Sequence, residues 1–283
     1  MKELNYAIVT PSFRLDFERC RFLVESVARW VEPHVKHYLV IDRRDVPMFR
    51  PLASGRTELI VVEEIIPGWL MRIPGFRRFW FSLLTRPVKN WILQQLVKLS
   101  VPSAVSDDVL LYADSDMFFV AAFDPRSYER DGQVPLLFEA GQRGLIPSND
   151  RWQAVAANLL GLPVETECDI NYVGNVIWWR RSNVLKALQR VNEVTGRSWQ
   201  RAIAPLTGFS EYILYGVFCH RVLGPESGHW YDDVDHTLTY WGTSPLDVAK
   251  LQQLKDKRAP HHHSAMISAK SHTSISDIRK VFS

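Results

Sequence analysis

Four short runs of β-forming residues, with helically spaced segments between them, constrain this chain more than any other feature. Tyr6-Ala7-Ile8-Val9-Thr10, His37-Tyr38-Leu39-Val40-Ile41 (ended by Asp42), Glu58-Leu59-Ile60-Val61-Val62 and Val109-Leu110-Leu111-Tyr112-Ala113 all read as strands. Between the first two, Phe17 to Val31 places Phe17, Cys20, Leu23, Val24, Val27 and Val31 at helical spacing. Before the fourth, Pro87 to Leu99 reads as a helix, with its proline suited to a first turn. This alternation predicts an α/β fold, a mainly parallel twisted sheet with helices on both faces. Such a sheet needs a large apolar core, and a chain of 283 residues that is 46% hydrophobic can supply one. Ligands bind these sheets outside the carboxyl ends of the strands. Thr10, Asp42 and Asp114 all lie at such ends, so one cleft could gather them.

The second half is less regular. Pro135 to Phe138 reads as a short strand, and Tyr172 to Trp179 as a longer one. The second contains Gly174, which can mark close approach of a ligand or another backbone. Helices are expected over Trp152 to Leu160, Asn183 to Thr195 (with Asn183 as cap), Ser210 to Leu223 (with Ser210 as cap) and Leu246 to Leu254. Ala265 to Ala269 could be a final strand. No repeat or low-complexity linker divides the chain, so one composite domain over residues 1–283 is expected.

Charge and cysteine content exclude several classes. A net charge of +3 is too weak a bias to argue for nucleic acid. Cys20, Cys168 and Cys219 are few, odd in number and far apart. They form neither a zinc pattern nor a disulfide framework, which points to a reducing cytoplasmic setting. No signal peptide is recognisable, and no stretch approaches the length of a transmembrane helix.

Asp114-Ser115-Asp116 is the most informative chemical feature. It separates the fourth strand from a second apolar run, Met117-Phe118-Phe119-Val120. Two carboxylates where a core strand emerges need a cation or hydrogen-bond partners unless they are solvated in a turn. A hard divalent ion bridging them to substrate phosphates would meet that need.

Pro67 to Lys98 carries Arg72, Arg77, Arg78, Arg86, Lys89 and Lys98 and no acid. Trp69, Phe76, Phe79, Trp80, Phe81 and Trp91 are interleaved with them. The segment could bind a phosphate-rich ligand, lie on an anionic membrane surface, or cover apolar surface with snorkelling arginines. Gln94, Gln95 and Lys98 share a helix face that could point into the cleft, where Lys98 would meet a diphosphate. Glu211 lies in the first turn of an expected helix, as an acid favoured by the helix dipole or as a general base at the cleft rim. Asp169 is a rival for the base role, or a solvated residue before a strand. His261, His262 and His263 could be a surface run or a remnant of cloning, whereas His272 follows the last strand and is either structural or a metal ligand.

Together these pieces resemble the GT-A glycosyltransferases, and within them a bacterial glycosyltransferase-like group with a DUF6492-type domain. The resemblance rests on Ala7-Ile8-Val9-Thr10-Pro11-Ser12, Trp91 to Lys98, Tyr112-Ala113-Asp114-Ser115-Asp116 and Ser210 to Gly216, and spans residues 6–275. It implies a GT-A-like fold with a Rossmann-like nucleotide-sugar-binding half (about residues 1–125) and an acceptor and catalytic half (about 126–283). It implies donor contacts from Thr10, Asp42, Gln95, Lys98, Asp114, Gly174 and Asn175. Asp114, Asp116 and His272 would hold Mn²⁺ or Mg²⁺, and Glu211 would be the base. Tyr212 stands where an acid usually follows that Glu. The acceptor would be a glycan or a lipid-linked sugar in surface polysaccharide synthesis; peripheral membrane contact, at the inner face of the membrane, is an expectation from the basic aromatic residues of 67–98 themselves. Asp116→Ala is then expected to spare the fold and abolish metal-dependent turnover.

Two rival readings remain. A haloacid-dehalogenase-type phosphatase also uses Asp-x-Asp after a strand, and Asp232-Asp233 could imitate its second acidic pair. A non-catalytic glycan- or membrane-binding module would use the basic aromatic segment alone.

Overall fold

A computed structural model describes residues 3–72, 79–82, 84–142, 145, 148–164 and 169–283. The central sheet has five strands in the order Ile177–Arg180, Val109–Tyr112, Tyr6–Ser12, Lys36–Ile41 and Thr57–Val61. The last four are mutually parallel and Ile177–Arg180 runs antiparallel at the edge. Both faces are buried, which is why these strands read as unbroken apolar runs rather than alternating ones. Tyr6, Ile8, Val109 and Leu111 face the helix Phe17–Trp30 through Leu23 and Val27. Ala7, Val9, Leu110 and Tyr112 face the opposite way, onto Ile92, Leu96 and Leu99 of the helix Asn90–Ala104.

The second half completes this sheet rather than standing apart from it. Ile177–Arg180 is its fifth strand, in register with Val109–Tyr112. A three-stranded sheet, Thr237–Tyr240, Ser264–Ile267 and Met117–Phe119, extends from the chain just after Asp116. His229–Asp232 pairs with Val134–Leu137. Helix Glu211–Val217 begins where expected: Ser210 Oγ accepts the Ile213 N–H, as an N-cap does. The chain continues as wider π turns over Phe218–Leu223.

Gly216 lets this helix seat on a ring. A Cβ there would sit 2.2 Å from Tyr172 Cγ. Gly216→Ala is expected to cost about 1–3 kcal/mol by overpacking and to lower the thermal midpoint by several degrees in a calorimetric scan.

Several expected elements change. The first strand runs to Ser12 instead of ending at Thr10. The expected helix from Pro87 starts at Asn90, because Val88–Lys89 pairs as a strand with Phe79–Ser82. The expected strand Tyr172–Trp179 forms only over Ile177–Arg180. Val176 has φ 50°, left-handed backbone that a β-branched residue rarely adopts, and this breaks the strand before it. Asn183 is not a cap: its helix starts at Arg181, and its amide donates to the Ser227 carbonyl instead. A C-terminal helix, Ile275–Phe282, and the strand pair Leu70–Met71 with Phe79–Ser82 are additions. No helix among the described residues is long and apolar enough to cross a membrane. Cys20 and Cys219 are buried, and Cys168 lies outside the described residues.

Candidate active site

Lys98 is the centre of the site. It sits on the third turn of Asn90–Ala104 and is 2% exposed. Its Nζ lies 3.0 Å from Asp114 Oδ1 and 3.3 Å from Glu211 Oε1, and donates to Tyr212 Oη at 2.7 Å. The ammonium also lies 4.6 Å from the centre of the Tyr212 ring. Burial alone would push this ammonium's pKa down. Asp114, Tyr212 and Glu211 outweigh it and hold the pKa well above its ordinary value. The same burial raises the Glu211 carboxyl, with Lys98 pulling it back.

Three parts of the sequence converge here for local reasons. Asp114 follows the buried strand Val109–Tyr112, next to the central one, and so leaves the core at the sheet's carboxyl edge. Tyr112 Oη donates to the Lys98 carbonyl, tying the helix to that strand. Gln95, one turn before Lys98, accepts the Glu211 N–H at 3.1 Å and donates to the Trp91 carbonyl. Glu211 is 4% exposed and so faces Lys98 from the interior, whereas the Asp114 side chain is 42% exposed and forms the open side.

Asp116 is turned the other way. Its Oδ2 accepts the Ala269 N–H at 2.8 Å, and its backbone carbonyl accepts the Ile267 N–H. Burial first, and then the charge of Asp114, raise its carboxyl to about 6. Asp16 and Arg19, absent from the sequence reading, stand beside this pair. Ser115 Oγ donates to Asp16 at 3.4 Å, and Arg19 spans the carbonyls of Ile267 and Thr273 at 3.0 Å each.

Asp114 and Asp116 are the side chains here that could hold a divalent cation, with Asp116 Oδ2 already taken by the Ala269 N–H. After burial, the charge of Asp114 adds to the raised proton affinity of Asp116, and carboxylate oxygens are hard ligands. The described residues hold no cluster of three His, Cys, Asp or Glu side chains that could close a metal cage. The expected third ligand is corrected. His272 is exposed, in left-handed conformation, and its turn reaches Asp116 through the Ala269 N–H rather than through the imidazole.

Other expected contacts are also corrected. Thr10 is fully buried and its hydroxyl pairs with His37 Nε2 at 3.0 Å, so it faces the core and not a nucleoside. Asp42 is 8% exposed and its carboxylate is taken by Arg72 at 2.5 Å and Arg44 at 3.5 Å. Both ends of the Gln95 amide are used inside the protein, so it positions Glu211 instead of binding donor. Gln94, expected on the same face, is exposed. The Asp169 side chain is exposed and its carbonyl accepts the Gln142 N–H. Asp232 is engaged by His236 Nε2 at 2.9 Å and by the Val234 N–H, not by Asp114 or Asp116.

Gly174 and Asn175 line a second feature, an open cleft of about 350 Å³. Trp152 and Trp241 form apolar walls, and Glu139, Asn171, Asn175 and Asp235 supply polar groups. Ile177 pairs with Tyr112, so Asn175 and Asp114 each lie two residues beyond the same rung of the sheet. The strained Val176 is next to Asn175, and such strain gathers at functional sites. The close approach expected at Gly174 is to a side chain: a Cβ there would sit 2.5 Å from Leu137 Cδ2.

The profile described as "Family of unknown function (DUF6492)" matches residues 7–281. No curated protein matches the chain. Three solved structures are matched at TM-scores below 0.5. Mouse xyloside xylosyltransferase 1 in its apo form has TM-score 0.47 and 10% identity, over 94% of this chain and 98% of that one. The apo-form glycosyltransferase GlyE of Streptococcus pneumoniae TIGR4 has TM-score 0.41 and 13% identity, over 93% of this chain and 55% of that one. An active-site mutant of LgtC has TM-score 0.44 and 12% identity, over 92% of this chain and 86% of that one.

Proposed function

The chain belongs to the DUF6492 family, and from the geometry of its charged cluster we propose that it transfers a sugar from a nucleotide-sugar donor to a glycan or lipid-linked acceptor, with a divalent metal ion. The observation that carries this reading is the buried Lys98 clamped between Asp114 and Glu211 at the carboxyl edge of the sheet. A fixed ammonium at the carboxyl edge of a parallel sheet is placed to stabilise charge growing on a leaving pyrophosphate.

Asp114 and Asp116 would hold Mn²⁺ or Mg²⁺, which would neutralise the diphosphate and help it depart. Lys98 holds Asp114 at 3.0 Å and so fixes the carboxylate that faces the substrate. Glu211, with its raised proton affinity and held 3.3 Å from Lys98, would be the base for an acceptor hydroxyl that enters past Asp114, the open side of the cluster. The cleft suits an uncharged sugar ring. Its walls are tryptophan faces, its polar groups are carboxamides and carboxylates, and no basic residue lines it.

Nucleotide sugars based on UDP, GDP and CMP, each assayed with Mn²⁺ and Mg²⁺, test the proposal. One of them is expected to be hydrolysed slowly in the presence of metal and to raise the thermal midpoint as its concentration rises. Asp116→Asn keeps an acceptor for the Ala269 N–H, which Asp116→Ala does not, so Asn is the variant that separates chemistry from folding. It is expected to unfold near the wild-type temperature and lose turnover by on the order of a hundredfold or more. Nucleotide-induced stabilisation without turnover would favour a binding module instead. Phosphate release from simple esters with no sugar donor would favour a phosphatase.

A further inference from the structure

The basic aromatic segment is not absorbed by the charged cluster. Between Glu64 and Asp107 the chain has no acidic residue. Within it, Leu70–Met71, Phe79–Ser82 and Val88–Lys89 form a small antiparallel meander. Its two faces differ sharply. Leu70 pairs across from Ser82, and Trp80 from Val88; Leu70, Trp80 and Val88 are buried against the core. Met71 pairs across from Phe81 on the opposite face, and both are 42% exposed. Lys89 is exposed, alternate to Val88. Leu84 and Trp91, 51% and 52% exposed, lie in the chain on either side of Val88–Lys89, and Arg86 is exposed in the connecting turn.

We propose that this outer face, carrying Met71, Phe81 and Lys89, with Leu84, Arg86 and Trp91 next to it in the chain, seats the protein on an anionic lipid surface. Exposed apolar side chains beside basic ones, with tryptophan at the edge, match the boundary between lipid headgroups and acyl chains. Arg72 takes no part, because it stacks 4.9 Å from the centre of the Trp80 ring and pairs with Asp42. A second copy of the chain is the weaker occupant. A two-fold contact on this face would bring Arg86 and Lys89 against their own copies, with no acid in the segment to offset them. The patch also adjoins the cleft. Trp91 stacks on Trp152, with ring centres 6.3 Å apart and planes 22° apart, and Trp152 lines the cleft. A lipid surface under Trp91 would therefore lie beside the entry to the site.

Co-sedimentation with vesicles tests this, using equal parts phosphatidylcholine and phosphatidylglycerol against phosphatidylcholine alone. The full chain is expected to pellet with the anionic vesicles only, and to release as salt is raised. Arg86→Gln with Lys89→Gln is expected to weaken binding by on the order of tenfold or more. Phe81→Ser with Leu84→Ser should weaken it similarly, while circular dichroism and turnover of soluble substrate stay at wild-type levels. Three results overturn the proposal: no pelleting with anionic vesicles, pelleting that neither double variant changes, or a concentration-dependent dimer that either variant dissolves. None of these bears on glycosyl transfer in solution, so the two readings fail separately.

Discussion

Lys98→Met is expected to reduce turnover by on the order of 10²–10³-fold and to destabilise the fold by about 3–5 kcal/mol. The two losses have different origins. Methionine fills much of the same volume, so packing changes little. The charge does not survive: Glu211, 4% exposed, would face Asp114 with no cation between them. Breaking a buried pair by removing one member costs far more than replacing both members with neutral groups. Adding Glu211→Gln to Lys98→Met should therefore recover most of the stability, because a neutral amide needs no counter-charge. Turnover should not recover, since the ammonium at the sheet edge is still absent. Urea unfolding and donor hydrolysis on the wild type, both single variants and the double variant read out the cycle. If Lys98→Met turned over within a few-fold of wild type, Lys98 would be a structural counter-ion only, and the proposed chemistry would lose its main support.

That Lys98 and Asp114 could each reach the carboxyl edge of the sheet was legible from short-range rules, but their direct pairing was not, since Lys98 was expected to meet a diphosphate. One rule is that for strand ends in α/β sheets, and the other is the three-and-four spacing of a helix face. Ser210 as the cap before Glu211 was legible for the same reason. What sequence could not supply was the partner on the far side. Gln95 looked like a free amide, yet Glu211, more than a hundred positions later, consumes its oxygen. Thr10 looked like a strand end because Pro11 follows it. The strand runs on through Pro11 to Ser12, which leaves Thr10 inside the core. Tyr212 read as an absent acid, and only the packed helix shows its hydroxyl on Lys98. Val176 read as part of a strand by its β-branched side chain, and its left-handed backbone is imposed by the surrounding fold. The meander at 70–89 was missed because two-residue strands carry no periodicity, and Phe76, Arg77 and Arg78 of that segment lie outside the described residues.

Acid should destabilise this protein partly through His229, and a His229→Gln variant should isolate that contribution. His229 is buried, and its ring is fixed as a neutral tautomer by a directional chain of hydrogen bonds. The Arg180 N–H donates to Tyr215 Oη at 2.8 Å, so that hydroxyl is left to donate to His229 Nε2 at 2.6 Å. His229 Nδ1 then donates to the carbonyls of Val134 and Pro135, at 3.1 Å each. A proton on Nε2 would meet a hydroxyl already committed as donor. Burial, the largest influence, lowers the histidine to about 4 despite those two carbonyls. The unfolded chain protonates near 6.5, so between that pH and 4 it binds more protons than the folded protein, and stability falls as pH falls. Carboxyls raised by burial, Asp116 to about 6 among them, act in the opposite direction, so the total pH profile mixes both signs. The difference between wild type and His229→Gln cancels them. Glutamine can donate and accept in the same place but does not titrate. The variant is expected to be less stable at pH 7, and the gap is expected to shrink by about 3 kcal/mol by pH 4. Tyr215 belongs to the helix that begins at Glu211 and stacks on Trp179 of the edge strand, so the same proton would loosen the support of the active-site carboxylate. Urea unfolding of both proteins at pH 7, 6, 5 and 4 measures the gap, and one that stays constant over that range would show that His229 titrates equally in both states.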